Sequence, residues 1–126
     1  MSFGLDKIKL GANTSLDGTI IPIHLAVHQQ GYVIPEEYAH DEVPVASPVY
    51  LDSGGEVQIL GYAAKEFSTL PGDVELIGVV KATVLKEDTL FAVMDMGVVE
   101  LSAMEIKYPE ALLTALKSNL KISFRK

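Results

Sequence analysis

The sequence predicts a mainly β domain, a small barrel or sandwich built from hairpins, with one short C-terminal α-helix and a turn-rich N-terminal arm. Three observations carry this expectation. Short runs rich in β-branched and aromatic residues alternate with Gly, Pro and Asp turn clusters from Val43 onward. Only one segment, after Pro109, spaces its leucines at helical period. The first forty or so residues are instead punctuated by Gly4, Gly11, Asn13, Asp17-Gly18 and Gln29-Gln30-Gly31. With 126 residues the chain has material for one ordinary domain and too little for two separate cores.

Residues 1–40 read as an arm or irregular layer around one short extended segment, Thr19 to Val27, or equally as an ordinary first strand with long loops. Pro22 lacks the N–H a ladder needs, so that segment belongs at an edge or is donated to a neighbour. Residues 41–126 form the β-rich core. Its first hairpin joins the run Val43 to Leu51 to Glu56–Leu60 through Asp52-Ser53-Gly54-Gly55, where the two glycines supply positive φ. Pro71-Gly72-Asp73 marks a turn. A second hairpin pairs the run Glu75 to Leu85 with Leu90 to Leu101 across Lys86-Glu87-Asp88-Thr89. Both faces of its first strand are apolar, so both require cover, from a second sheet, a closed barrel or a subunit interface. Pro109 at a first helical position, Glu110 behind it and Leu112, Leu113, Leu116 and Leu120 on one stripe predict a helix near 109–120, ended by Asn119. Lys121 to Arg125 then alternates as a last strand with Ile122 and Phe124 inward.

Charge and composition exclude several classes. The net charge is −7, with no Lys or Arg between Leu10 and Ala64, which argues against nucleic acid or an anionic membrane as partner. The far end carries Lys107, Lys117, Lys121, Arg125 and Lys126 against Glu110 alone. This is an ordinary solvated surface or an acidic face and a basic edge for head-to-tail subunit contact. The absence of Cys removes disulfide frameworks, thiolate metal sites and thiol nucleophiles. The opening residues lack a secretory apolar stretch, and runs such as IIPIHLAV are far short of the roughly 20 residues a bilayer span needs. A soluble product is expected.

The search for chemistry ends without a site: no catalytic, cofactor-binding or metal-binding residue is predicted. His24, His28 and His40, with Asp41, carry donor atoms that suit zinc or iron. Pro22 makes a helix through His24 and His28 doubtful, however, and adjacent same-face strand positions are two apart, so ordinary histidines are expected. Ser47, Ser53, Ser68 and Ser102 lack a nucleophile elbow. The acid pairs Glu36-Glu37, Asp41-Glu42 and Glu87-Asp88 lie in turn-like surroundings. Met94 and Met96 read as core filler. Asp95 between them must meet a cation, sit at a bulge or reach water, because an unpaired buried carboxylate costs several kcal/mol.

Pro48-Val49-Tyr50-Leu51-Asp52, Leu60-Gly61, Ile77-Gly78-Val79 and Met96-Gly97-Val98-Val99 follow a cadence of short hairpin, Gly-Val strand, polar turn and apolar strand. In this the chain resembles the small head decoration and head fibre proteins of tailed phages and prophages, over about half its length. The resemblance implies a non-enzymatic virion component made in the bacterial host cytoplasm. It implies a homo-oligomer, with a trimer favoured, that contacts capsid protein and uses no cofactor. Such a protein clamps neighbouring shell subunits through apolar surface at a trimer axis and an arm that adds a strand to a capsid sheet edge. The alternative is a small β-barrel binding module for a ligand or partner peptide.

Overall fold

The computed structural model describes residues 20–21, 23–27 and 32–126, with backbone alone for 23–27. Pro22, His28 and the turn residues expected in the arm (Gly4, Gly11, Asn13, Asp17, Gly18, Gln29, Gln30 and Gly31) lie outside the described residues. The chain is mainly strand, with a short α-helix, α1 (Glu110–Asn119), near its C-terminal end. Its main sheet runs β1 (Ile23–Val27), β11 (Val93–Glu100), β8 (Glu75–Val80), β4 (Pro48–Leu51), β5 (Val57–Ile59), and β12 (Lys121–Arg125) also pairs with β11. Three two-stranded ribbons surround it: β2 (Tyr32–Val33) with β10 (Leu90–Phe91), β3 (Glu42–Val43) with β9 (Val84–Leu85), and β6 (Tyr62–Ala63) with β7 (Glu66–Phe67). The sheets do not close into a barrel, and the arrangement is sandwich-like.

The main sheet is apolar on both faces because it separates two cores. One gathers Leu60, Phe67, Val79, Met94, Val99, Met104, Leu112, Leu116 and Ile122, with α1 among its covers. The other gathers Ile34, Tyr38, Val43, Val49, Ile59, Val80, Phe91 and Val93 under the β2–β10 and β3–β9 ribbons. Neighbours Val79 and Val80 thus face opposite cores, as strand alternation requires. The second face of β8, for which a barrel or a subunit interface was among the expected covers, is covered within the chain. Residues 32–40, at the end of the expected arm, contribute Ile34 and Tyr38 to that second core.

Several elements depart from the sequence expectation for identifiable reasons. The extended run from Val43 to Leu51 is broken at Pro44–Ser47, where Ala46 takes φ 70° and the Ser47 amide donates to Pro44 O at 3.2 Å. Pro44 lacks a ladder N–H, and the Ser47 hydroxyl adds a 2.6 Å bond to the same carbonyl, so a tight turn replaces the strand. In the Asp52–Gly55 loop only Gly55 takes positive φ (81°), not both glycines. The long second hairpin is laddered at Val80↔Val93 and Val79↔Met94, with one more backbone bond from Lys81 N to Ala92 O at 3.0 Å. Beyond it the two arms diverge, β9 to β3 and β10 to β2, and Lys86–Asp88 closes the end as a 3-10 turn. Of the extended segment expected over Thr19 to Val27, β1 covers Ile23–Val27 and pairs at the edge with β11 of its own chain, while Thr19 and Pro22 lie outside the described residues.

The C-terminal unit follows expectation closely. Pro109 stands one place earlier than expected, as the N-cap, and α1 ends at Asn119. Leu112 and Leu116 are buried, each worth roughly 1.5–3 kcal/mol of apolar transfer. The helix is the crossover that lets β12 lie parallel to β11, from Met96↔Lys121 to Glu100↔Arg125. Arg125 forms an ion pair with Glu100 at that last position.

Candidate functional site

Three features of the surface stand out, and each arises from how strands end. The first is a fork in the main sheet. One edge of β11 is shared by two partners on either side of Asp95: β8 at Val93–Met94, then β12 from Met96 to Glu100. Its opposite edge carries β1. Strands β8 and β12 therefore diverge at Asp95, and a cleft of about 460 Å³ opens between them. Tyr32, Glu75, Leu76, Ile77, Asp95, Met96, Asn119, Leu120 and Lys121 line it.

Two bulges shape this fork. Opposite β1, Met96 pairs with Ala26 and Met94 with Val27, so Asp95 has no residue facing it in that register. This is the bulge that was one of the accommodations expected for Asp95, and its carboxylate is half-exposed. On β8, Val49 pairs with Gly78 but Tyr50 with Leu76, leaving Ile77 as the extra residue. Across each bulge the core-facing parity flips: Val79 and Leu76 pack on one core, as do Met94 and Val99. Met94 is the core residue expected, whereas Met96 lines the cleft. Gly78 is needed at the point of closest approach, because a Cβ there would lie 2.5 Å from Met94 O and from Val93 Cγ1.

The second feature is the tip formed by the β2–β10 and β3–β9 ribbons. The exposed large hydrophobics among the described residues, Val33 (67%), Leu90 (53%) and Leu85 (44%), all lie there. Leu90 and Val33 are cross-strand partners, and Leu85 precedes the 3-10 turn that leads to Leu90. Exposed Glu36, Glu37, Glu42, Glu87 and Asp88 lie on the same ribbons and turns. Lys86 is turned inward, with Nζ donating to Glu36 O at 2.9 Å and also to Tyr38 O. Its charge thereby pins the 36–38 turn onto the ribbons. The tip is both apolar and acidic.

The third is an aromatic chain around His40. The imidazole stacks on Tyr62 at 4.0 Å and meets Tyr38 edge-on at 5.5 Å. The rings continue through Phe67 and Tyr108 to Phe124, with centroid steps of 6.3, 5.4 and 5.8 Å. The Tyr108 hydroxyl is buried and donates to Ala46 O at 2.7 Å, although part of the ring reaches solvent. Burial alone pushes that phenol far above its ordinary pKa. Tyr38 is raised as well, by burial first and then by Tyr62 and Glu42. These phenols stay protonated and act as hydrogen-bond donors.

Among the three histidines, His40 packs as an aromatic ring. His24 pairs through its backbone with Gly97, while its side chain and all of His28 lie outside the described residues. Among the described residues no group of three or more His, Asp or Glu is arranged to hold a metal ion. Ser47 is fully buried and spends its hydroxyl on Pro44 O. No helix among the described residues is long and apolar enough to cross a membrane. Sequence reasoning missed the cleft and the tip. The cleft depends on strand pairing that no local pattern encodes; Val33, Leu85 and Leu90 carried a local signal, as apolar residues beside turn signals. No protein-family model, curated protein or solved structure matches the chain.

Proposed function

We propose that the chain is a non-catalytic structural protein of a tailed-phage or prophage head, decorating or stabilising the capsid by docking onto shell subunits and onto copies of itself. The observation that carries this reading is the tip, where Val33, Leu85 and Leu90 are held in water by ribbons whose other faces are already committed to a core. A surface of this kind gains by burial, at roughly 25 cal/mol per Å² of apolar area removed from water. The surrounding carboxylates select a basic-rimmed partner and speed its encounter. A trimer is the favoured assembly and the virion its location; the resemblance in the Pro48–Val99 region supports both.

Light scattering and co-expression with a major capsid protein test the proposal. Self-association and capsid binding are expected for the native chain, and both are expected to fall in the doubly substituted Val33→Ser, Leu90→Ser protein. A strictly monomeric chain that ignores capsid protein would overturn it. One observation favours a second reading, a small binding module for a ligand or partner peptide: the 460 Å³ cleft is a concave site lined by apolar Leu76, Ile77, Met96 and Leu120 and, in about equal measure, by polar and charged groups. Thermal stabilisation by a metabolite panel, without self-association, would select that reading.

A further inference from the structure

We propose that copies of this chain join head to tail, the acidic tip of one copy docking on a basic edge that the end of α1 and β12 form on the next. The inference rests on the self-docking reading of the tip and names the surface that receives it. Its first support is how the fold sorts charge. Glu36, Glu37, Asp41 and Glu42 come from one stretch and Glu87 and Asp88 from another, and the β3–β9 ladder, Glu42↔Leu85 and Val43↔Val84, brings the two together. All six carboxylates are exposed, and among the described residues none is in an ion pair. Lys86 is the one Lys or Arg in residues 32–43 and 84–91, and its ammonium is committed to the Glu36 and Tyr38 carbonyls. The tip therefore keeps a surplus of negative charge.

The second support is the composition of the receiving edge. Residues 117–126 contain Lys117, Lys121, Arg125 and Lys126, all exposed, and no Asp or Glu. Arg125 is matched by Glu100, and Glu75 shares a cleft wall with Lys121, but Lys117, Lys121 and Lys126 are in no ion pair among the described residues. Half-buried Leu120 and Phe124 stand between these cations in sequence, and lysine stems add apolar cover, so Val33, Leu85 and Leu90 have apolar surface to meet there. On its outer side β12 carries no strand among the described residues, which leaves the edge accessible. The third support is exclusion. Tip against tip sets carboxylates on carboxylates and edge against edge sets cations on cations, each destabilised by like charge. Of the three pairings, tip on edge is the one that opposes unlike charges, and a heterologous contact of this kind closes into a ring, the form a trimer takes.

Sedimentation velocity at low salt tests this with two variants of the intact chain, each checked for a native circular-dichroism spectrum. The tip variant carries Val33→Ser and Leu90→Ser. The edge variant carries Lys117→Glu and Lys121→Glu, with Lys117→Gln and Lys121→Gln as the milder form should the charge reversal misfold. The native chain is expected to self-associate, less so as salt is added, and each variant alone to do so about tenfold more weakly. Mixed in equal amounts, the two should form a 1:1 heterodimer that grows no further, since one retains an edge and the other a tip. Edge variants that associate as the native chain does, or a mixture without heterodimer, would overturn the head-to-tail contact; with the tip variant still monomeric, the tip remains a self-docking surface and only its receiving surface is misassigned. A native chain that stays monomeric overturns this inference outright, and its binding to co-expressed capsid protein then decides whether the structural reading falls with it.

Discussion

The hairpins β4–β5 and β6–β7 are neighbours in sequence and are held by opposite means. The first is organised by its own loop. Asp52 Oδ1 accepts from the Gly54 and Glu56 amides at 2.9 Å, Oδ2 accepts from Gln58 Nε2 at 3.1 Å, and Gly55 supplies the left-handed residue. The second has no turn chemistry at all. Ala64 and Lys65 are both driven to positive φ, 53° and 63°, a conformation that costs an L-residue about 1–2 kcal/mol. It is held from outside: Phe67 is 2% exposed in the core, its amide donates to Lys107 O, and Lys107 returns a bond to Lys65 O, both at 2.9 Å. Local sequence makes one turn; tertiary packing imposes the other.

The largest effect should come from removing the anchor. Phe67→Ala deletes a buried ring and is expected to cost about 3–5 kcal/mol, with loss of the β6–β7 ladder. Val57→Ala in half-buried β5 should cost much less and leave the Asp52 loop intact. Urea denaturation with amide exchange at both hairpins measures this; equal costs would erase the distinction. Next comes Tyr108→Phe, which keeps the ring stacked on Phe67 but leaves Ala46 O without its buried donor. About 1–3 kcal/mol of destabilisation is expected by the same measurement.

This contrast explains what was legible beforehand. The β4–β5 hairpin, the bend at Pro71-Gly72-Asp73, α1 and β12 all announce themselves through turn residues or periodicity within a dozen residues. The β6–β7 hairpin was invisible, since Tyr62-Ala63-Ala64-Lys65-Glu66-Phe67 contains no Gly, Asn or Pro. The second long hairpin was over-read for a related reason. Its apolar run continues past Val80, yet the partners of Val84 and Leu90 are Val43 and Val33, more than forty residues away. The fork is of the same kind: Asp95 betrayed an irregularity, but only the competition of β8 and β12 for one edge turns it into a cleft.

The difference between the hairpins can be narrowed by giving β6–β7 the turn it lacks. Ala64→Asn with Lys65→Gly supplies the Asn-Gly pair that adopts two left-handed residues readily. A gain of about 1 kcal/mol is expected, read as a raised Tm. Gly55→Ala in the other loop should lose a similar amount: its φ of 81° penalises any Cβ although nothing lies within 4 Å of that atom. A stabilised Gly55→Ala protein would show that the first loop tolerates what the second endures.

The smallest effect separates the two hairpins by pH alone. Asp52 is held below its ordinary carboxylate value, first by the Glu56 amide and then by Gln58 and Gly54, against a partial opposing effect of desolvation. A carboxyl whose pKa is lower folded than unfolded adds stability that is fully present above the unfolded value of 3.8 and is lost as pH falls through the folded value. On acidification the amide signals of Gly54 and Glu56 should therefore shift together below pH 3.8, while those of Lys65 and Phe67, whose ladder contains no such carboxylate acceptor, follow only global unfolding. Asp52→Asn retains an oxygen for the two amides but cannot ionise, so the acid step at Gly54 and Glu56 should vanish. Its persistence in that variant would mean that another group governs the loop, and that β4–β5 depends on its surroundings as β6–β7 does.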